Sequence, residues 1–230
     1  MSIKKSALIA AACVAAALTS PAKAEETVPQ QSKGFYATLG LGAGWPLNID
    51  ATDAGLDTLV GAPTTGTFGV NGGFAGEIGA GYDFGDARAE ITYVYQNASL
   101  SSLSLSNRNG SVNLGASGNI NSSSVFVSGY YDVPIKNSRF IPYLGGGIGY
   151  TNLAVGTNTF TYQGFSDTAN GGNVSLFGYQ AKVGLSYIAS KATDIFIEGV
   201  YQGSPSFSFG TTSYDPINVF GARLGARYRF

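Results

Sequence analysis

Two glutamates, Glu77 and Glu198, are of the residue type that performs general acid–base chemistry when two carboxylates face each other. The chain of 230 residues contains no histidine. This excludes Ser–His and Cys–His catalysis and histidine-ligated metal sites, because each needs an imidazole. Charged residues also occur in protein interiors for structural reasons, and we favour that interpretation for both glutamates. The sequence therefore predicts no catalytic residue, no metal site and no cofactor, and we do not expect an enzyme.

A second motif that suggests chemistry is the glycine cluster GGGIG at residues 145–149, within RFIPYLGGGIGYTN. Glycine-rich loops hold phosphate where a helix begins directly after them and its first N–H groups point at the ligand. The residues that follow, YTNLAVGTNTFTY, have no helical pattern. We therefore interpret the cluster as part of a β-strand in which the glycines serve packing.

The composition indicates an unusual surface. Only 12% of the residues are charged, against about 25% in soluble domains. The chain also has 33 glycines, 14 tyrosines and 14 phenylalanines, which suit packed strands better than helices. The net charge of −1 gives no reason to expect a nucleic-acid partner.

The first 24 residues have the pattern of a secretory signal peptide. Lys4 and Lys5 precede an apolar run at 7–18, and Ala22-Lys23-Ala24 has the small-x-small form of a cleavage site. A lipoprotein site at Cys13 is the competing interpretation, but Cys13 lies in the middle of the apolar run. We expect a signal peptide at 1–24, a linker at 25–33 and a single domain at 34–230, exported and free of cysteine.

No segment after the signal peptide has about 18 consecutive apolar residues, the length of a transmembrane helix. A membrane-inserted chain of this kind must form a closed barrel, because only a barrel satisfies every backbone group without a helix. Five segments support that fold. Each begins and ends with an aromatic residue, the two being ten residues apart, and every second position between them is apolar or glycine. They run over 35–45, 74–84, 140–150, 177–187 and 220–230.

Ten strand steps span about 33 Å, and at a tilt of about 40° this projects to about 25 Å, the height of the apolar band of an outer-membrane barrel. None of the thirty alternate positions is charged or is Ser, Thr, Asn or Gln. The interleaved positions hold twelve glycines and the charged residues Glu77, Asp83, Lys182, Arg223, Arg227 and Arg229. We therefore expect the apolar set to face lipid, and the glycines to leave room in the lumen for long charged side chains.

Three weaker segments, 88–96, 125–133 and 194–202, complete an eight-stranded, antiparallel, up-and-down barrel. Val94, Phe126 and Val200 fall on its inward face and depart from the polar-inside pattern. Short links follow strands two, four and six, whereas long links, at about 46–72, 97–122, 152–174 and 203–217, follow the other strands. Outer-membrane barrels have short periplasmic turns and long outside loops, so both chain ends should be periplasmic. The long loops are rich in Ser, Asn, Gly and Thr and are expected to be mobile, with short hairpin extensions where Leu103 and Leu105 alternate with serines.

Five inward charges fall at similar distances from the short turns or the chain end, and Arg88 completes a set of three acids and three bases. An unpaired buried charge costs several kcal/mol, so acids and bases in a lumen must balance. The sequence predicts that the three acids pair with the three bases and plug the lumen; the set is Glu77, Glu90 and Glu198 with Arg88, Lys182 and Arg223.

The chain resembles the OmpA-like, eight-stranded outer-membrane barrels of the opacity and surface-antigen type. The resemblance rests on the signal peptide, GFYATLGLGAGW as first strand, PYLGGGIGY as fifth and the ending GARLGARYRF. It implies a location in the outer membrane of a Gram-negative-type bacterium, with outer-membrane lipid as partner. It also implies that Leu224, Ala226, Tyr228 and Phe230 form the signal read by the outer-membrane assembly machinery.

The leading functional hypothesis is a structural barrel that displays its loops and has a largely plugged lumen. A small diffusion channel for ions or small solutes is the first alternative, and an adhesin or surface antigen that binds an unknown partner through its loops is the second. A soluble lipocalin-type barrel would be apolar inside and would leave twelve glycines on its surface, which argues against it.

Overall fold

A computed structural model describes residues 32–53, 57 and 62–230 of the chain. The predicted signal peptide at 1–24 lies outside the described residues, as does all of the predicted linker except residues 32 and 33. The structure is built from antiparallel strands. In chain order they are β1 (Gly34–Pro46), β2 (Ile49–Asp53), β3 (Thr65–Asn71), β4 (Gly73–Asp83), β5 (Ala87–Asn107), β6 (Gly110–Asp132), β7 (Phe140–Val155), β8 (Asn158–Tyr162), β9 (Phe165–Ala169), β10 (Gly172–Ile188), β11 (Thr193–Ser204), β12 (Phe207–Phe209), β13 (Thr212–Tyr214) and β14 (Ile217–Arg229).

Eight strands close a ring in which each is paired with its neighbour in chain order. The order is β1, β4, β5, β6, β7, β10, β11 and β14, and β14 then pairs with β1. Every one of these pairings is antiparallel. The prediction of an eight-stranded up-and-down barrel is therefore confirmed, and closure leaves no strand edge to meet lipid.

The two ends of the barrel differ in their connections. At one end, called here the short-turn end, lie the turns at 84–86, 133–139 and 189–192 together with Gly34 and Phe230. Gly85 takes a φ of 120° in the first of these turns, a conformation that glycine adopts without strain. The opposite end is called the hairpin end, because the long connections there carry the remaining strands.

The long connections contain more strand than the sequence predicts. Between 97 and 122 strands β5 and β6 continue as one hairpin, from Ala87 opposite Tyr131 to Asn107 opposite Gly110, with one irregularity near Leu100. Strands β2, β3, β8, β9, β12 and β13 occupy much of the other three connections. The long connections therefore contain the hairpin extensions that the sequence led us to expect, and the extension of β5 and β6 is longer than expected. Pairing satisfies backbone N–H and C=O groups that a long irregular loop would leave to water.

The outward face of the ring is apolar and has aromatic residues near both ends. At the short-turn end the rings of Phe35 and Tyr82 lie 5.0 Å apart, and those of Phe140 and Tyr187 lie 5.2 Å apart. At the hairpin end Tyr201 lies 5.2 Å from Phe220. Large apolar side chains between these two levels are exposed on the outside of the barrel, among them Leu41, Ile78, Leu144, Ile148, Val183 and Leu224. An exposed apolar band between aromatic girdles is the surface that a bilayer covers.

Within the part of the chain that the structure describes, no helix has the length and apolar character needed to cross a membrane.

Candidate functional site in the barrel lumen

The lumen is lined by every second residue of the eight ring strands. This alternation brings eleven charged side chains to the inside, and all are buried. The carboxylates are Glu77, Asp83, Glu90, Asp132, Asp194 and Glu198, and the cations are Arg88, Lys182, Arg223, Arg227 and Arg229. Six acids against five bases is close to the balance that a low-dielectric interior requires.

Glu77, Lys182, Glu198 and Arg223 meet at mid-height and form what we call the central cluster. The Lys182 ammonium donates hydrogen bonds to both carboxylate oxygens of Glu77, at 3.0 and 2.8 Å, and lies 3.0 Å from Glu198 Oε1. Arg223 Nη1 donates to Glu77 Oε2 and lies 3.9 Å from Glu198. The four side chains are at most 3% exposed, so this contact network is dry and each charge depends on its partners.

The central cluster spans the lumen. Glu77 is on β4 and Lys182 is on β10, and these strands lie four positions apart in a ring of eight, on opposite walls. Glu198 on β11 also accepts a hydrogen bond of 2.8 Å from the Tyr143 hydroxyl on β7. These contacts join facing walls of the ring at this level.

Three glutamines lie on the hairpin side of the central cluster and form the glutamine belt. Gln96 on β5 donates a 2.6 Å hydrogen bond to Gln202 on β11, again across the full width of the ring. Gln202 in turn donates to Gln180 at 3.3 Å, and Gln180 donates to Ser128 at 2.8 Å. Arg223 Nη2 lies 3.4 Å from Gln202 Oε1, so the belt is continuous with the central cluster.

A second group of charges, the basal cluster, lies at the short-turn end. Arg229 donates to Asp83 through Nε and Nη2, at 3.0 and 2.9 Å, and to Asp194 through Nη1 at 2.5 Å. Arg227 Nη1 lies 3.3 Å from the same Asp194 oxygen. The other oxygen of Asp83 accepts a hydrogen bond from the backbone N–H of Gly85, so one carboxylate joins the turn to the lumen.

Arg88 and Glu90 differ from the predicted pairing. Arg88 makes a two-point contact with Asp132, at 2.7 and 2.9 Å, instead of joining Glu90. Glu90 accepts a 3.1 Å hydrogen bond from the Tyr130 hydroxyl. The difference arises because β5 and β6 place Asp132 beside Arg88 at the short-turn end, where two N–H groups of the planar guanidinium match the two oxygens of the carboxylate.

Sequence reasoning left Asp83, Asp132, Asp194, Arg227 and Arg229 out of the predicted network. All five have inward parity and lie within a few residues of a short turn or of the chain end. The count from the turns that brought five of the predicted charges to a similar depth would have placed these five other residues in a second layer nearer the short-turn end.

The inward glycines accommodate aromatic rings more than charged groups. A Cβ atom at Gly145 would overlap the ring of Tyr130, and one at Gly225 would overlap the ring of Phe196. Arginines pack against these rings: the Arg88 guanidinium lies 4.6 Å from the centre of Tyr130, and that of Arg227 lies 5.4 Å from Phe196. Cation–π contacts of this kind stabilise buried cations in addition to their carboxylate partners.

The inside changes character on the hairpin side of the glutamine belt. Inward positions there are apolar on several strands, for example Leu100 on β5, Leu153 on β7, Leu176 on β10 and Val219 on β14. These residues surround a cavity of about 410 Å³, which we call the outer cavity. Leu153, Leu176 and Val219 lie beyond the ends of the predicted strands, so the sequence analysis assigned them no inward position, whereas Phe126, noted in the sequence as an exception to the polar-inside pattern, lies in the cavity wall.

The rim of the outer cavity belongs to the hairpin crown, which consists of β2, β3, β8, β9, β12 and β13 together with the part of the β5–β6 hairpin beyond the ring, at about 97–122. The rings of Phe207 and Tyr214 stack 5.0 Å apart, and Phe68 lies 6.3 Å from Tyr214. Burial, with a contribution from the nearby Asp53 carboxylate, raises the pKa of the Tyr214 hydroxyl above its usual value. The hydroxyl therefore stays protonated and uncharged at neutral pH.

The predicted assembly signal lies on the outward face of the last strand and at the chain end. Leu224, Tyr228 and Phe230 are exposed on the outside, and Ala226 shares their face. Among residues 32–53, 57 and 62–230, no group of three or more His, Cys, Asp and Glu side chains is placed to hold a metal ion.

Residues 9–230 match the family model of the outer membrane protein β-barrel domain. No curated protein matches the chain. Among solved structures, outer membrane protein OprG from Pseudomonas aeruginosa is similar at 15% identity over 88% of this chain and 99% of that chain, with a TM-score of 0.52. Outer membrane protease OmpT from Escherichia coli is similar at 9% identity over 89% of this chain and 100% of that chain, with a TM-score of 0.53. Neisserial surface protein A matches at 18% identity over 86% and 97% of the two chains, with a TM-score of 0.49. At these identities the likeness to OprG and OmpT shows the fold.

Proposed function

The chain belongs to the family of outer-membrane proteins built from a β-barrel domain, and from this premise we propose that it is a structural barrel with a closed lumen that displays its hairpin crown outside the cell. The short turns then face the periplasm and the hairpins face outward, as in other barrels of this kind.

Closure of the lumen is supported by side-chain contacts that join its opposite walls. The ion pair between Lys182 and Glu77 joins opposite walls at 2.8 Å, and the hydrogen bond between Gln96 and Gln202 joins opposite walls one level higher. An ion moving along the axis has to displace buried charges that pair with each other, at a cost of several kcal/mol for each charge left alone.

A catalytic role for Glu77 and Glu198 is not part of the proposal. Lys182 contacts both carboxylates, and Tyr143 donates to Glu198 as well. Both acids are thus engaged in ion pairs at the barrel centre, where a general acid or base would need access to a substrate.

Single-channel recording in planar bilayers tests closure. The refolded wild-type protein is expected to give no conductance steps, whereas the double variant Glu77→Ala/Lys182→Ala, which removes the bridge without changing the net charge, is expected to conduct. The matched control is Ile78→Ala/Val183→Ala, which alters the neighbouring lipid-facing residues on the same strands and should stay closed. Conductance steps in the wild type would overturn closure and favour the diffusion-channel alternative.

Display of the crown is supported by the β5–β6 hairpin, which stays paired out to Asn107 and Gly110. The only cysteine of the chain is Cys13, within the predicted signal peptide, so single cysteines can report orientation. Asn109→Cys, in the hairpin tip, is expected to react with a membrane-impermeant maleimide on intact cells. Asn137→Cys, in a short turn, is expected to react only after the outer membrane is permeabilised, and the reverse pattern would invert the proposed orientation.

A further inference from the structure

We propose that the outer cavity is a binding site for an uncharged, largely apolar small molecule that enters from the hairpin end. The cavity of about 410 Å³ lies within the size range of small-molecule sites. This inference goes beyond the structural role proposed above, and binding does not depend on whether the lumen conducts.

The chemistry of the lining defines the class of ligand. No charged side chain lies among the described residues that line the cavity, although the lumen below it holds eleven buried charges. The wall consists of aliphatic residues and of aromatic residues such as Phe126 and Phe160, and uncharged polar side chains, among them Gln96, Gln202 and Thr151, lie between them. An apolar wall with a few hydrogen-bonding groups is the composition of sites for uncharged ligands with one polar group.

The position of these apolar residues is not explained by membrane insertion. Leu153 and Val155 on β7 and Ile217 and Val219 on β14 have inward parity, so lipid cannot cover them. All four are partly exposed, which means that they face open space inside the barrel. Apolar surface that faces a water-accessible space is unfavourable, and an apolar ligand would remove it from water.

The floor and the mouth of the cavity suit a dead-end pocket. The glutamine belt closes the bottom through the hydrogen bonds between Gln96, Gln202 and Gln180. The mouth lies among the hairpins, where Phe68, Phe207 and Tyr214 form a cluster of rings that also lines the cavity. A ligand from outside the cell would meet aromatic faces first and amide groups last.

Binding can be measured with the protein in lipid nanodiscs and its Ile, Leu and Val methyl groups isotopically labelled for NMR. The probe is 1-octanol, which is uncharged and has one hydroxyl group, and octanoate is the charged comparison. Saturable shifts are expected at the methyl groups of Leu153, Leu176 and Val219. The lipid-facing methyl groups of Ile78, Ile148 and Leu224 are the internal control, because octanol dissolved in the lipid affects them without saturation.

Two variants make the result decisive. Leu153→Trp fills the cavity and is expected to weaken octanol binding at least tenfold, whereas Ile148→Trp, on the opposite face of the same strand, should leave it unchanged. If Leu153→Trp does not fold, Val219→Phe fills the cavity from another wall and should weaken binding in the same direction. Equal, non-saturating shifts on both faces, or unchanged octanol binding in the cavity-filling variant, would overturn the proposal. Octanoate binding as tight as octanol binding would overturn the assignment of an uncharged ligand.

Discussion

The two halves of the lumen are lined by the same strands, and yet they hold opposite kinds of side chain. Below the glutamine belt β14 places Arg223 inside, and above it the same face of β14 holds Val219. Strand β10 changes in the same way, from Lys182 to Leu176. The side of the sheet on which a residue lies is therefore not enough to give its environment. Its height along the barrel axis matters as well, because one half of the lumen holds buried ion pairs and the other half is open and apolar.

The difference also shows how each half is stabilised. The charged half depends on specific partners, since each ion is buried and loses its hydration. The apolar half has space left over, and its side chains tolerate changes in volume better than a packed core does. Substitutions in the lower half should therefore have larger effects on stability than substitutions in the upper half.

The largest expected effect comes from breaking the central cluster on one side only. Lys182→Met leaves Arg223 as the one cation of the central cluster against the two carboxylates of Glu77 and Glu198, and we expect the free energy of unfolding to fall by about 3–5 kcal/mol. Urea titration, followed by the shift between folded and unfolded bands on gels, measures this. Val183→Ala, next to it on the lipid-facing side, is the matched control. A loss for Lys182→Met no greater than that for Val183→Ala would show that the cluster does not stabilise the barrel.

A smaller effect is expected from adding one methyl group beneath an aromatic ring. Gly145→Ala places a Cβ against the ring of Tyr130 in the packed half, and overpacking of this type costs about 1–3 kcal/mol. Gly146→Ala, which points outward and meets only a backbone oxygen at 3.7 Å, is expected to be neutral or slightly stabilising. The same urea titration compares the two, and equal stability of the two variants would contradict tight packing around Tyr130.

The corresponding substitution in the open half should have a smaller effect on stability. Val219→Leu adds a methylene to the outer cavity, where there is room for it, and its effect on the free energy of unfolding is expected to stay below about 1 kcal/mol. A loss as large as that of Gly145→Ala would mean that the upper half is as closely packed as the lower half. Thermal unfolding of the variant and the wild type in one detergent provides an independent measure of the change in stability.

The smallest effect is expected from shortening the β5–β6 hairpin. Removing residues 103–106 and 111–114 deletes four pairs between β5 and β6 and the four pairs that β3 makes with 103–106, and it keeps the tip from Asn107 to Gly110. The crown lies beyond the ring, so the free energy of barrel unfolding, measured by the same urea titration, should change by less than about 1 kcal/mol. A large decrease would show that the crown and the barrel unfold as one cooperative unit.

The sequence allowed the ring to be predicted because its evidence is local. Alternation along segments such as 140–150 and 220–230 identified outward residues including Ile148 and Leu224, and the structure places both on the outside. The weaker segments were placed with the correct parity as well, with Phe126 and Val200 inside. The sequence indicated short hairpin extensions from the alternation of Leu103 and Leu105 with serines, but not their full length, because the Ser- and Asn-rich strands have little other apolar alternation to mark them.

The lumen was predictable only in part. Counting residues from the short turns brought Glu77, Lys182, Glu198 and Arg223 to one height, and the structure places these four in contact. Arg88 pairs with Asp132 and not with one of the three predicted glutamates, since Asp132 lies beside it on the neighbouring strand. Gly145 and Gly225 were expected to leave room for charged side chains, but the rings of Tyr130 and Phe196 occupy that space.

By itself the sequence determined which face of each strand meets lipid and that the strands number eight in the ring, since both follow from a two-residue period and the spacing of turns. Only the tertiary structure decided which charges touch and where space remains. The stagger between strands on opposite walls sets the relative height of residues more than a hundred positions apart, as for Glu77 and Lys182. No local pattern carries that information, because it arises when the last strand pairs with the first and the ring closes.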